Sequence, residues 1–89
     1  MSAKEFEKVF KAMANHRRIL MVQYLCAVKE ASVGRIAFEI AISLNATSRH
    51  LAILERAGFL DREQRNLEVF YRIKRLPDRF IKTVLDGIS

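Results

Sequence analysis

The hydrophobic period of this chain changes at Gly58, and this change narrows the folds that the chain can adopt. Before Gly58, apolar residues recur every three or four positions, which is the spacing of helices packed on a core. After it they alternate with polar residues, as at Val69, Tyr71 and Ile73, which is the spacing of a β-strand. The 89 residues suffice for one domain and not for two. We therefore predict a single domain over residues 1–89, in which helices are followed by a β-hairpin.

Four helices are predicted before Gly58 and one after it. The second helix is apolar around most of its circumference, which places it at the centre of the core. Short polar side chains satisfy free N–H groups at a helix start, so Asn15 and Ser32 are candidate N-caps for the second and third helices. Ser43 or Asn45 has this position before the fourth helix. The predicted helices span residues 3–14, 16–29, 33–40, 44–57 and, opened by Pro77, 76–89.

The part after Gly58 has the pattern of a two-stranded wing. Strands are predicted over residues 59–62 and 69–73, and between them Asn66 is the residue best suited to a left-handed turn. Two helices joined by a tight turn and followed by a hairpin form a winged helix-turn-helix. The predicted fold class is mainly α with a β-hairpin, a winged helix-turn-helix with five helices and a two-stranded wing. The helix-turn-helix is assigned to residues 32–58 and the wing to residues 59–74.

The charge balance favours a polyanionic partner. Sixteen Lys and Arg residues against ten Asp and Glu give a net charge of +6 and a pI of about 10.0. Each phosphate contact releases counterions, so this surplus suits double-stranded DNA, although charge alone leaves an indifferent basic surface equally open. Arg17 and Arg18 lie in the first turn of the second helix, where the helix dipole disfavours positive charge. We expect an acidic neighbour or a phosphate to compensate them.

The fourth helix has the pattern of a DNA recognition helix. Leu44, Leu51 and Leu54 are expected to face inward, which leaves a polar face for a major groove. On that face Arg can bind guanine and Asn can bind adenine through paired hydrogen bonds. An ordinary amphipathic surface helix, followed by a solvated wing, remains the alternative. The predicted base contacts are Asn45, Ala46, Arg49 and Ile53, and the predicted backbone contacts are Ser43, Thr47, Ser48, His50, Arg56, Arg62 and Arg65.

Short segments in a fixed order carry a family resemblance. They are residues 13–18 (MANHRR), 32–37 (SVGRIA), 48–51 (SRHL) with Leu54, 57–60 (AGFL) and 69–73 (VFYRI). In these segments the chain resembles the ArsR family of bacterial repressors over nearly its whole length. The resemblance implies a winged-helix homodimer, built from the first and last helices, that represses transcription by occupying an operator. It also implies that Ser48, Arg49 and His50 lie at the DNA interface.

The terminal helices carry more apolar residues than one small core can bury. We therefore predict an isologous homodimer, the alternative being that these residues complete the core of a monomer. A dimer would place two recognition helices about 34 Å apart, one turn of DNA, so the operator is predicted to be an imperfect palindrome. The predicted interface residues are Phe6, Phe10, Phe80, Val84 and Ile88.

The metal ligands of many members of that family are missing. The third helix has neither Cys nor His, and residues 77–89 contain no His. The three candidate ligands, His16, Cys26 and His50, are scattered and too few for a four-ligand site. We expect no metal and no cofactor. Cys26 lies on an apolar stripe, and we interpret it as a core residue rather than a redox switch.

Other function classes are disfavoured. Paired carboxylates, a Gly-rich phosphate loop and a nucleophile–base pair are absent, so we do not expect an enzyme. No apolar run approaches the roughly 20 residues of a membrane span, and residues 1–9 lack a signal-peptide core, so a cytosolic protein without a membrane partner is predicted.

Two hypotheses remain. The first is a dimeric DNA-binding repressor, and the second is a winged-helix adaptor that binds another protein. Outward polar residues of the fourth helix, Asn45, Arg49 and Arg56, favour the first. Exposed Ile53 and Leu67 and the acidic residues of the wing leave room for the second. Asn66-Leu67 stands where members of the resembled family often have Gly-Arg, which weakens the case for wing–DNA contact.

Overall fold

The computed structural model describes residues 2–74, which form four helices and a three-stranded antiparallel sheet. The fifth predicted helix, with Phe80, Val84 and Ile88, lies outside the described residues. In chain order the elements are α1 (Ala3–Met13), α2 (His16–Val28), β1 (Glu30–Ser32), α3 (Val33–Ile40), α4 (Leu44–Arg56), β2 (Leu60–Arg65) and β3 (Glu68–Ile73).

The helix starts follow from local side-chain chemistry. Asn15, Ser32 and Ser43 each accept a hydrogen bond from the backbone N–H three residues further along, at 3.1 Å. Such a cap contributes about 1 kcal/mol to helix stability. The predicted N-caps of α2 and α3 are therefore confirmed, and of the two candidates for α4 the structure selects Ser43.

The end of α4 is fixed by Gly58. This glycine has a φ of 91°, and its N–H donates to the carbonyl oxygen of Glu55 at 3.0 Å. The N–H of Phe59 donates to the carbonyl oxygen of Leu54, also at 3.0 Å. These two bonds form the Schellman motif, in which a left-handed residue ends a helix and turns the chain away. The predicted role of Gly58 is confirmed, and the turn buries Phe59 completely.

The sheet differs from the prediction. The strand β1 pairs antiparallel with β3, with Ala31 opposite Tyr71, and the strand order is β1-β3-β2. The prediction of a two-stranded wing is therefore wrong. A strand of three residues between two helices is too short to show a period of its own, and it forms because β3 offers it a free edge. The hairpin strands are also longer than predicted, and they leave Asn66 (φ 55°) and Leu67 as a two-residue turn.

The core lies between α2, the helix-turn-helix and the sheet. Met21, Val22 and Leu25 are fully buried, which confirms the central position of α2. Cys26 is half-buried against this core. Leu44 was expected to face inward, but 59% of it is exposed. The reason is that α4 begins beyond the edge of the core, so that its first buried residue lies one turn later.

Candidate nucleic-acid interface

The outward side of α4 presents a polar surface. Asn45, Ser48 and Arg49 are exposed, and Ala46 is half-buried between them. Asn45 and Arg49 lie four residues apart, so they share one face of the helix. Ile53 is half-buried and packs against the core, so it forms the inner border of this face rather than its centre.

Thr47 does not belong to that surface. It is fully buried, and its hydroxyl donates a 2.8 Å hydrogen bond to the carbonyl oxygen of Ser43. The predicted contact between Thr47 and a phosphate is therefore contradicted by the structure. The periodicity that buries Leu51 and Leu54 also buries Thr47, since the three residues lie on one helical stripe. Ser43 itself is exposed at the start of α4.

Arg18 joins three helices. Its Nε donates to the carbonyl oxygen of Ala12 at 2.6 Å, and its Nη2 donates to that of Lys11 at 3.3 Å. Its Nη1 lies 3.1 Å from Nδ1 of His50 on α4. The expected partner of this first-turn arginine was an acidic residue or a phosphate. The structure instead provides the carbonyl oxygens of the last turn of α1, which carry the negative end of that helix dipole.

The contact with Arg18 fixes the protonation of His50. A guanidinium only donates hydrogen bonds, so Nδ1 of His50 accepts and the ring proton is on Nε2. Burial lowers the pKa of His50, and the positive charges of Arg18, Arg49 and Arg17 lower it further. The ring is therefore neutral near pH 7 and retains one N–H donor.

Arg17 is a further candidate for this surface, and the predicted set of contact residues does not include it. It is exposed in the first turn of α2, and its positive charge contributes to lowering the pKa of His50 on α4. The sequence signal was available, since an arginine in the first turn of a helix needs a partner. We define the recognition face as Arg17, Asn45, Ser48, Arg49 and His50. Within residues 2–74, neither Arg17 nor Arg49 forms an ion pair with a carboxylate.

A basic groove adjoins the recognition face. It lies between α1 and α4, with a cavity volume of about 270 Å³. Its rim is cationic and its floor is apolar, and it includes the exposed Arg56, one of the predicted backbone contacts. The lining residues are Lys8, Lys11, Ala12, Arg18, Ile53, Arg56 and Ala57.

The wing has a different electrostatic character. Arg65 donates to both carboxylate oxygens of Glu30, at 2.7 and 2.8 Å, and to Glu63 at 3.0 Å. Arg72 approaches Glu63 at 3.1 Å and Glu30 at 3.5 Å. Hydrogen bonds from Arg65 lower the pKa of both carboxyl groups. Among the predicted wing contacts, Arg62 is exposed and lies outside this network.

This network changes the interpretation of Arg65. The guanidinium was predicted to contact the DNA backbone, but it ties β1 to the hairpin and stacks 4.5 Å from the ring centre of Phe70. Its charge is offset by Glu30 and Glu63, so little of it is available to a phosphate. The sequence could not reveal this, because Glu30 lies 35 residues away in the chain.

Two other features bear on function. Within residues 2–74, no group of three or more His, Cys, Asp or Glu side chains is arranged to hold a metal ion. In the same range no helix has the length and apolar character that crossing a bilayer requires.

Known proteins share this fold and these sequence features. The family model for bacterial regulatory proteins of the arsR family matches residues 15–62. The transcriptional activator HlyU of Vibrio cholerae is 37% identical, in an alignment that covers 82% of this chain and 73% of HlyU. The HTH-type transcriptional regulator YgaV of Escherichia coli K12 is 30% identical, with 82% of this chain and 74% of YgaV covered.

Solved structures of such regulators have the same fold as this chain. HlyU of V. cholerae N16961 superposes with a TM-score of 0.79 and 29% identity, covering 99% of this chain and 94% of HlyU. The homodimeric winged helix-turn-helix DNA-binding domain of Mb0332 from Mycobacterium bovis has a TM-score of 0.77 and 25% identity, covering 96% of this chain and 75% of that chain. The chain thus belongs to the ArsR family of bacterial regulatory proteins and is a DNA-binding transcriptional regulator with a winged helix-turn-helix fold.

Proposed function

We propose that this protein is a dimeric transcriptional regulator that reads a palindromic operator through α4. One observation carries this proposal: Arg49 and Asn45 are exposed on one face of α4, and no carboxylate within residues 2–74 pairs with Arg49. A guanidinium that no carboxylate of the described residues engages can bind guanine through two hydrogen bonds. The neighbouring Arg17 and His50 extend the same face towards the phosphate backbone.

The contact set follows from exposure and pairing. Base contacts are assigned to the four residues that the sequence predicts, Asn45, Ala46, Arg49 and Ile53. Asn45 and Arg49 make the hydrogen bonds, and the small side chain of Ala46 lets the helix enter the major groove. Ile53 lies at the edge of the recognition face, where it lines the basic groove between α1 and α4. Thr47 is removed from the backbone contacts because it is buried, and Arg65 because Glu30 and Glu63 offset its charge. Arg17 is added because it is exposed. The remaining backbone contacts are Ser43, Ser48, His50, Arg56 and Arg62.

The dimer is proposed to form through α1 and residues 76–89. On α1 the rings of Phe6 and Phe10 stack with centroids 6.0 Å apart, and Phe10 is 46% exposed. A half-buried ring stacked on an exposed one, on a terminal helix, suits an isologous interface. The homodimeric Mb0332 domain supports this assembly. Sedimentation should give a dimer at micromolar concentration, whereas Phe10→Glu should shift the protein towards a monomer of about 10.3 kDa. A wild-type monomer would contradict the dimer.

The experiment that tests DNA reading is selection of bound duplexes from genomic fragments, followed by affinity measurement at two salt concentrations. We expect a palindromic consensus and a binding constant that falls steeply with salt. Binding within a promoter would repress transcription in a reconstituted assay, and a regulator with this partner acts in the cytoplasm at the chromosome. Equal affinity for all duplexes would contradict sequence-specific reading.

The adaptor hypothesis retains a specific observation in its favour. Leu67 at the wing tip is 97% exposed, and Phe38 on α3 is 74% exposed. Large exposed apolar side chains are typical of protein interaction sites. If the protein binds no duplex even at low salt, the adaptor becomes the better proposal.

A further inference from the structure

The contacts of Arg18 connect two helices with different proposed tasks. Its side chain reaches the last turn of α1, where Lys11 and Ala12 present carbonyl oxygens. It also reaches His50, which follows Arg49 directly on α4. The helix α1 is proposed to form the dimer and α4 to read DNA. A single guanidinium therefore connects the helix proposed to form the dimer with the helix proposed to read DNA.

The geometry of this guanidinium makes the connection stiff. Its three contacts use three different nitrogens of one rigid planar group, at 2.6, 3.3 and 3.1 Å. Arg18 is held further by its own backbone N–H, which donates to the side chain of Asn15 at 3.1 Å. A displacement of α4 relative to α1 would break at least one of these bonds. A lysine, with one nitrogen at the end of a flexible chain, cannot make all three.

We propose that Arg18 is a positioning residue that fixes the disposition of α4 relative to α1, and so sets the half-site spacing that the dimer accepts. His50 is the receiving group on α4, through Nδ1. The inference rests on the proposed function, because spacing has meaning only for a dimer on DNA. It adds a determinant of specificity that touches no base.

The neighbouring Arg17 offers a matched control. Arg17 and Arg18 have the same charge and adjacent places in the first turn of α2, but only Arg18 makes the three contacts. If Arg18 acts through its charge, replacing either residue should weaken binding to all duplexes alike. If it acts through position, its replacement should selectively reduce discrimination between spacings.

The first experiment measures the affinity of two labelled duplexes, the selected palindrome and the same palindrome with one base pair inserted at its centre. The insertion shifts and rotates one half-site relative to the other, so the wild-type protein should bind the selected palindrome much more tightly than the lengthened one. We expect Arg18→Lys and Arg18→Met to reduce this discrimination about tenfold, which is the order of one lost base-pair contact. Arg17→Met should lower the affinity for both duplexes by the same factor. Unchanged discrimination in both Arg18 variants would overturn the proposal.

The second experiment needs no DNA, and it tests the contact between Arg18 and His50 in the wild-type protein, so it does not depend on whether a variant folds. Long-range proton–nitrogen NMR reports the tautomer of each histidine ring, with exposed His16 as the internal reference. We expect the wild-type His50 ring to have its proton on Nε2, and Arg18→Met to give a mixture of tautomers. A wild-type ring protonated on Nδ1 would refute the coupling.

Variants of His50 separate the acceptor from the ring. His50→Asn places an amide oxygen near the position of Nδ1, so spacing discrimination should survive, whereas His50→Leu removes the acceptor and should lose it. Equal behaviour of the two variants would contradict the assigned role of Nδ1. Failure of the wild-type protein to bind any duplex would refute the proposed function, and the NMR result would still test the contact.

Discussion

Two arginine-rich regions of this molecule differ in what lies beside each arginine. On the recognition face, the positive charges of Arg17 and Arg49 lower the pKa of His50, and no ion pair within residues 2–74 involves either arginine. On the wing, Arg65 and Arg72 share the carboxylates of Glu30 and Glu63. The comparison teaches that the number of arginines does not measure the positive field, because pairing decides how much charge reaches a phosphate. The two regions are therefore expected to respond differently to the same kind of substitution.

The largest effect is expected at Arg49. Arg49→Ala should weaken operator binding by about 1–3 kcal/mol and relax specificity at one base pair, because a paired contact to guanine is lost. Fluorescence anisotropy against the operator and its single-base variants measures both effects. Arg56→Ala, further along α4, is the control and should lower the affinity for the operator and for its single-base variants by the same factor. If Arg49→Ala leaves operator affinity unchanged, α4 is not placed in the groove as proposed.

A smaller effect of opposite sign is expected at Glu63. Glu63→Gln should leave Arg65 and Arg72 with Glu30 alone, so that one positive charge of the wing is no longer offset. Affinity for a non-specific duplex should then rise and the salt slope steepen by about 1. Glu68→Gln removes the same charge from the wing, but within residues 2–74 Glu68 forms no ion pair. An equal gain in the two variants would show that net charge, rather than release of arginines, governs the wing.

The smallest effect concerns stability as a function of pH. Because the pKa of His50 lies below its ordinary value of 6.5, the unfolded chain takes up the proton first as the pH falls. The contribution of neutral His50 to the free energy of unfolding is complete above the unfolded pKa. It is lost as the pH falls through about 6.5 towards the folded pKa.

Chemical denaturation of the wild-type protein and of His50→Asn between pH 7.5 and 5, a window chosen to span the unfolded pKa of about 6.5, tests this dependence. The slope of stability with pH should be smaller in the variant, because the two proteins differ only at residue 50. Superimposable pH profiles would mean that His50 has the same pKa in the folded and unfolded chain.

The sequence predicts the features of this fold that arise within a few residues. The N-caps at Asn15, Ser32 and Ser43, and the left-handed ends at Gly58 and Asn66, depend on local hydrogen bonds and dihedral angles, and all five are found. Helical periodicity also predicts that Asn45 and Arg49 lie outward on α4, but it places Leu44 inward, where the structure leaves it exposed. These features follow from the identity of each residue and its near neighbours.

The features that escape prediction depend on distant partners. The strand β1 exists because β3 lies beside it, and the pairing of Arg65 with Glu30 follows from that strand. The role of Arg18 depends on the approach of α1 to α4, which no spacing in the sequence encodes. Thr47 shows that a hydroxyl near a helix start is not by itself a phosphate contact, since the same helix can bury it.

The most direct test of the account compares Arg49→Met with Arg65→Met on the selected operator over a range of salt concentrations. Each substitution removes one guanidinium, one from the recognition face and one from the wing. We predict that Arg49→Met loses at least about fivefold in affinity, whereas Arg65→Met changes affinity less than about twofold and leaves the salt slope as in the wild type. An equal or larger loss in Arg65→Met would contradict the claim that this regulator reads DNA through α4 with its wing arginines neutralised.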